Sequence, residues 1–387
     1  MAVKRTLPSY FRKFIFVVGS SAISLGVLMI IVEYHNALES SLPKLSVVHL
    51  DDGRRYHWLS KLWCNETQPS RLCYYHPEDN IRGRPFHENT LRLLKKLNIF
   101  DHTERYVDPA NYLKENDPVF LTAADSSYFG PVKVAIRSVQ EYFPNKTIIF
   151  YDLGVTKHEV KELKSFCNLE YVRFPFEDFP GYFRQLTQYR WKPVIVAKTL
   201  VRYGAVWYLD SSIRFTTSDL KTVYNLFTKT ANLNKAERKF SFLLHSFSGH
   251  GIFSVTSPTS YFFLPTNVTM MKLRRPNCME ANMFLLFRTR EAIEAILVWL
   301  LSCALEENCM STPEATLMCK FTDDPFNDYA DCHRYDQSIT NLLLANLLGY
   351  NSKRWSSEVT NFFEIRRYES DDSMKPYECL LNISSNK

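Results

Sequence analysis

The hydrophobic pattern opens with residues 14–32, which carry no ionisable side chain. At about 1.5 Å per residue, a helix of that length covers roughly the hydrocarbon core of a bilayer, so the segment reads as a transmembrane signal anchor. Residues 33–117 are polar and irregular, with Arg-, His- and Asp-rich stretches around 51–57 and 76–90, and read as a stem. Leu91, Leu94 and Leu97 mark one short helix within it. From Pro118 onward, apolar runs suited to buried strands alternate with helical periodicity, the mark of an α/β domain with a mainly parallel sheet flanked by helices.

The run 119–123 predicts a first strand, and Val132, Ala135, Ile136, Val139 and Phe143 then recur at helical spacing. Residues 147–151 predict a second strand, after which Thr156 and Glu159 form a capping box ahead of Val160, Leu163 and Phe166. A third strand follows at 169–174. Pro193 suits the first position of a helix running to about Tyr203, Gly204 suits its end, and 205–209 is a continuous buried strand that runs straight into Asp210. The second half is less regular, with strands expected at 240–244, 261–264 and 282–287. Ile293, Ile296, Leu297, Leu300, Leu301 and Ala304 line one helix face, and Ile339, Leu342, Leu343 and Leu347 another. The stretch 309–334 between them reads as loop. No second boundary follows 118, so 118–387 is expected to be one domain.

Charge sets the topology. Lys4, Arg5, Arg12 and Lys13 precede the apolar segment while Glu33 and Glu39 follow it, which places residues 1–13 in the cytosol and the rest in the lumen or outside. A cleaved signal peptide is the competing reading; its apolar region is usually shorter and ends at a small-x-small site, which is not obvious here. Removing those four basic residues from 47, against 41 acidic ones, leaves only +2 for the remainder, so the overall +6 gives no support to nucleic-acid binding. The hydrophobic fraction of 45% matches a folded protein, and 11 glycines in 387 residues argue against collagen-like and glycine-built repeats.

All nine cysteines fall after the apolar segment, as expected of a chain that folds in an oxidising space. Cys64 with Cys73 and Cys309 with Cys319 are the tempting local pairs; connectivity is not legible from sequence, and the odd count leaves at least one thiol free or intermolecular. The absence of CxxC removes zinc ribbons and thioredoxin chemistry. Acceptor sequons at Asn65, Asn145, Asn267 and Asn382 fit a luminal surface in the Golgi or endoplasmic reticulum.

In open α/β sheets, ligands collect beyond the carboxyl ends of the strands. That rule selects the loop 122–127 with Asp125, and the loop Asp210-Ser211-Ser212. Carboxylates and hydroxyls at such an edge suit a ribose or a divalent cation, which takes hard oxygen ligands. Trp191-Lys192-Pro193, the run from Gly204 through Asp210-Ser211-Ser212 to Phe215, and His333-Arg334-Tyr335-Asp336-Gln337-Ser338 resemble a nematode-expanded, uncharacterised family of type II membrane proteins. That family in turn resembles nucleotide-diphospho-sugar transferases of the GT-A class, with a Rossmann-like sheet, over roughly residues 118–365.

The GT-A pattern ends an apolar strand in Asp-x-Asp, whose carboxylates hold a divalent metal on the donor diphosphate. By resemblance Asp210 is the first of these, and Ser212 stands where the second acid belongs. The resemblance therefore implies either Mn²⁺ or Mg²⁺ held by Asp210 with a further ligand such as His333, or a metal-independent enzyme. Lys192, near a helix N-terminus, is a candidate to balance a leaving diphosphate, against an exposed lysine; Trp191 is a candidate to stack on a base or sugar, against core packing. Asp336 and Gln337 resemble an acidic-amide pair near acceptor and donor sugar, with Asp336 as general base or, alternatively, a helix cap. Glu280 is a reserve base and Asp125 a ribose or base contact.

Two functions follow. One is a glycosyltransferase of the secretory pathway, moving a sugar from a nucleotide-sugar donor to a glycan, protein or lipid acceptor. The other is a non-catalytic luminal protein binding carbohydrate or nucleotide on the same fold. No P-loop, HExxH or Gly-x-Ser-x-Gly motif occurs, and Gly249-His250-Gly251 precedes a β-like run, so no dinucleotide-binding helix starts there.

Overall fold

The computed structural model describes residues 64, 71–97, 105–230, 233–234, 237–367 and 375–379. The expected anchor at 14–32, the cytosolic tail and the sequons at Asn65 and Asn382 lie outside the described residues. Among the described residues no helix is long and apolar enough to cross a membrane.

Two helices, α1 (Glu88–Lys96) and α2 (Pro109–Glu115), lead into β1 (Val119–Ala124), whose six residues are all buried. The chain then alternates: α3 (Phe129–Tyr142), β2 (Ile148–Asp152), α4 (Lys157–Leu163), β3 (Leu169–Arg173), α5 (Trp191–Tyr203) and β4 (Ala205–Leu209). The capping box of Thr156 and Glu159 starts α4. Gly204, at φ 78°, ends α5 in the left-handed region, where a Cβ would be strained. Pro193 is the third residue of α5, not the first; the opening turn of a helix has no intrahelical partner for that N–H, so proline is tolerated there.

Downstream come β5 (Ile213–Phe215), α6 (Lys221–Thr228), β6 (Phe242–Leu244), β7 (Phe247–Gly251), α7 (Val268–Arg274), β8 (Asn277–Met279) and β9 (Met283–Phe287). A π-helical stretch (Ala292–Leu297) runs into α8 (Val298–Leu305), followed by α9 (Asp336–Leu347) and β10 (Phe363–Ile365). The strand expected at 261–264 is instead the end of a 3₁₀ turn, Pro258–Phe262, which begins at a proline whose fixed φ suits a helical start.

The main sheet has the order β3-β2-β1-β4-β9-β6. β3, β2, β1 and β4 are parallel, and β9 runs antiparallel between β4 and β6. Period-two alternation divides β1 between two cores: Val119, Leu121 and Ala123 pack on one face, Phe120 and Ala124 on the other. The first core also holds Leu72, Tyr74, Phe86, Leu91 and Leu94. Packing therefore begins well before 118, and this part of the expected stem belongs to the domain. Gly83 shows how closely that segment docks, because a Cβ there would meet the Phe263 carbonyl oxygen at 2.1 Å.

Four disulfides close the described residues: Cys64–Cys73, Cys167–Cys379, Cys303–Cys309 and Cys319–Cys332. The first matches the local expectation. Cys309 with Cys319 is corrected, since α8 ends beside Cys309 and brings Cys303 to it, leaving Cys319 to close its own loop with Cys332. Cys278 is the free thiol among the described residues, and it is buried.

His245 and His333 are both sealed inside. His245 stacks on Trp207 with ring centroids 5.1 Å apart and its Nδ1 lies 2.7 Å from Ser357 Oγ, while His333 is fully buried. Burial pushes them down to about 3 and about 4 respectively. Between those values and the ordinary histidine value the unfolded chain binds protons that the folded chain refuses, so stability is present above about pH 6.5 and is lost as pH falls. Thermal melting from pH 7 to pH 5 is expected to fall with a slope of up to about 1.4 kcal/mol per pH unit for each histidine, and His245→Gln with His333→Gln is expected to flatten it. An unchanged slope in the double variant would rule these two groups out as its source.

Candidate active site

The parallel ladder between β1 and β4 runs from Val119–Val206 to Leu121–Tyr208 and stops. Strands β2 and β3 lie on one side of β1 and β4 on the other, so the order of connection reverses there, and the carboxyl ends of β1 and β4 flank a switch-point crevice. Asp125 follows one strand and Asp210 the other. The Asp210 loop is fixed by backbone and by a buried arginine: Asp210 N–H donates to Asn282 O at 2.8 Å, and Arg214 donates to Ser211 O at 2.6 Å and Pro131 O at 3.1 Å.

Three elements converge on Lys192. Its side chain is 5% exposed, in the first turn of α5, and three oxygens surround its ammonium: Asp336 Oδ2 at 2.7 Å, Ala281 O at 3.1 Å and Asp210 Oδ1 at 3.3 Å. The Asp336 contact is a buried ion pair, with both side chains less than a tenth exposed. Tyr208 OH donates to the same Asp210 Oδ1 at 2.5 Å, and the rings of Tyr208 and Tyr189 lie 4.9 and 5.0 Å from Lys192 Nζ. A void of about 10 Å³ beside Lys192, Phe284 and Asp336 has room for a single water. Tyr189 and Tyr335 both take positive φ, at 54° and 46°, a strained state for non-glycine residues, and they stand next to Lys192 and Asp336.

Burial pulls the Lys192 ammonium down, but the Asp210 and Asp336 charges outweigh it and raise it, so the lysine stays a cation. Burial and then the Asp210 charge push the Asp336 carboxyl up, with Lys192 opposing. Tyr208 is raised well above its ordinary value by burial and by Asp210, so it remains a donor.

Several expectations are corrected. Lys192 is not an exposed lysine, and its charge is committed to two carboxylates instead of a diphosphate, because it is buried between Asp210 and Asp336. Asp336 is the first residue of α9 and makes no cap; its buried carboxylate faces Lys192 instead. Trp191 is buried in the core with Nε1 donating to Leu186 O at 3.1 Å, so it offers no face for a base. His333 is no metal ligand: its Nδ1 accepts from Ser257 N–H at 3.2 Å and its Nε2 lies 3.0 Å from Met310 O, so both ring nitrogens are engaged. With Asp210 Oδ1 held by Lys192 and Tyr208, the pair Asp210 and His333 does not fit a divalent cation, and among the described residues no group of three or more His, Cys, Asp or Glu side chains does.

The other candidates lie nearby. Asp125 is half-buried and its Oδ1 accepts from Tyr128 N–H at 3.3 Å, starting the turn at the lip of the crevice. Ser212 is half-buried and its carbonyl accepts from Arg366 N–H at 2.8 Å. Gln337 donates to Cys278 Sγ at 3.4 Å. Glu280 is 18% exposed, accepts from Asn282 Nδ2 at 2.5 Å and from Arg367 at 3.2 Å, and is raised chiefly by burial. Of the described sequons, Asn145 is exposed, whereas the Asn267 amide is engaged, capping α7 through Met270 N–H and donating to Asp79.

Sequence reading missed Tyr208, Tyr189, Arg366 and Arg367. Tyr208 had a signal in its position two residues before Asp210 on a buried strand. The arginines had none locally, since β10 reaches the crevice only by pairing with β5.

Fold and crevice define an α/β domain with a mainly parallel sheet and an acid-lysine cluster at its switch point. The family profile described as "Protein of unknown function (DUF1647)" matches residues 63–197. No curated protein matches the chain. Solved structures similar to it include glycosyltransferases. The apo bifunctional glycosyltransferase WbbM is 13% identical, covering 58% of this chain and 37% of that one, with a TM-score of 0.35. The galactosyltransferase LgtC with donor and acceptor sugar analogs is 14% identical, covering 59% and 70%, at 0.30. Core-mannan synthase A of Aspergillus fumigatus, in its Mn/GDP form, is 12% identical, covering 56% and 71%, at 0.33.

Replacing Lys192 by Met leaves the buried Asp336 carboxylate without its cation and beside the partly exposed Asp210, and is expected to cost about 3 kcal/mol of stability. Asp336→Asn in that background is expected to recover part of the loss, because it removes one of the orphaned charges. Urea unfolding of the four members of this cycle measures it; strictly additive effects would show that the pair is not coupled.

Proposed function

We propose that the protein is a glycosyltransferase of the secretory pathway, moving a sugar from a nucleotide-sugar donor to a glycan, protein or lipid acceptor. The observation that carries the reading is the convergence of Asp210, Lys192 and Asp336 at the switch point between β1 and β4. Asp210 is the member that reaches solvent, at 30% exposure, and its recorded protein contacts fall on Oδ1. Oδ2 therefore accepts from a sugar hydroxyl, with Lys192 and Tyr208 holding the carboxylate at one angle and Asp336 holding Lys192.

In this reading the acceptor hydroxyl oxygen attacks the anomeric carbon, the bond from that carbon to the diphosphate oxygen breaks, and the nucleoside diphosphate leaves with the electron pair. Glu280, raised by burial and more open to solvent than Asp336, takes the acceptor proton. No step is routed through a metal, because the carboxylate oxygen Asp210 Oδ1 is already held by Lys192 and Tyr208. Residues 14–32 anchor the chain in a Golgi or endoplasmic reticulum membrane with the domain luminal, a placement supported by four disulfides and an exposed sequon at Asn145. The engaged lysine and Ser212 favour the second reading, a carbohydrate- or nucleotide-binding protein without turnover.

Full-length protein in detergent, incubated with a panel of sugar nucleotides with and without Mn²⁺, is expected to release nucleoside diphosphate. Asp210→Asn is expected to lower the rate by about a hundredfold or more, in the range of a lost charge-assisted contact made in the transition state. Donor binding with no turnover across the panel would give the site to the binding protein.

A further inference from the structure

The cluster at Lys192 has no positive charge to spare. One ammonium faces two carboxylates that already outweigh its charge, so an anionic ligand at this crevice needs cations from elsewhere.

The chain brings two arginines to the place. β10 pairs antiparallel with β5, Ile365 opposite Ile213, and the next residue, Arg366, donates its backbone N–H to Ser212 O. Arg367 thus sits at the lip of the Asp210 loop, its side chain 64% exposed, with Nη2 donating to Glu280 Oε1 at 3.2 Å. Arg334 comes from the segment leading into α9, two residues before Asp336, and its charge, like that of Arg367, acts on Glu280. It is half-buried, its Nε donates to Cys319 Sγ at 3.3 Å, and no other side-chain hydrogen bond of its guanidinium is recorded among the described residues. A disulfide sulfur is a weak acceptor, so this guanidinium is held in place without being satisfied. The loop carrying Glu280 is tied to the cluster, with Ala281 O on Lys192 and Asn282 O on Asp210 N–H.

We propose that Arg334 and Arg367 form the binding site for the diphosphate of a nucleoside diphosphate, with Glu280 holding Arg367 in place while that site is empty. The choice of a diphosphate rests on the glycosyl-transfer reading; the need for a cation and the position of the arginines do not. A single contact from a largely exposed arginine is weak, whereas a guanidinium bonds phosphate oxygens in two parallel, charge-assisted contacts, so exchange of Glu280 for phosphate is favourable. The exchange frees Glu280 to accept a proton beside the reacting sugar.

Calorimetric titration of the full-length protein with inorganic pyrophosphate, UDP and GDP tests the site. Wild type is expected to bind at least one probe, with affinity falling as salt rises. Arg367→Ala and Arg334→Ala are each expected to weaken it about tenfold or more, Arg367→Lys less, and Glu280→Gln to tighten pyrophosphate binding severalfold. Melting curves for each variant establish that it is folded. Failure of all three probes to bind wild type, unchanged affinity in both folded alanine variants, or weaker binding in Glu280→Gln would each overturn the proposal. Arginine-dependent pyrophosphate binding without turnover of any sugar nucleotide would sink the transfer reading and leave this site standing. Turnover untouched by both alanine variants would do the reverse.

Discussion

A single ammonium group organises the crevice. Lys192 is taken out of water at the start of α5, and two carboxylates from β4 and α9 meet it there. Desolvating a charge is costly unless geometry and partners are good, and breaking such a set leaves an unpaired charge inside the protein. The pair therefore ties the end of the parallel sheet, the first turn of one helix and the first residue of another into one unit. The positive φ values of Tyr189 and Tyr335 lie on the two segments that this contact draws together.

The rest of the site follows from that constraint. Because Lys192 and Tyr208 both reach Asp210 Oδ1, that oxygen is held in place while the side chain as a whole stays partly open to solvent. Because the lysine is spent on this task, the positive charge available to an anionic ligand lies outside the cluster, on arginines brought by the β5–β10 pairing and by the segment between the Cys319–Cys332 disulfide and α9. The loop between β8 and β9 joins the two halves, touching Lys192, Asp210 and Arg367 through three successive residues.

Much of this was legible in the residues. The alternation from β1 to β4, the capping box of α4, the glycine at the end of α5 and the strand running into Asp210 all rest on local periodicity and local caps, and all stand in the structure. Glu280, Asp210, Lys192, Asp336 and Gln337 do come to one region. What was misjudged is what each does. His333 looked like a spare ligand and is a core histidine with both nitrogens bonded; Trp191 looked like a platform and is packing. The extent of the domain was misjudged too, because Leu72, Tyr74 and Phe86 sit in a polar-looking stretch whose few apolar residues all turn inward.

The sequence by itself determined the α/β class, the four parallel strands and the acid that ends β4, since hydrophobic period, turn residues and caps act over a few residues at a time. Burial of Lys192, its two carboxylate partners, the pairing of Cys303 with Cys309 and the arrival of Arg367 beside Glu280 were decided only by tertiary structure. Charge contacts and disulfides depend on which distant segments the sheet order and helix packing bring within a few ångströms, and no local pattern encodes that distance.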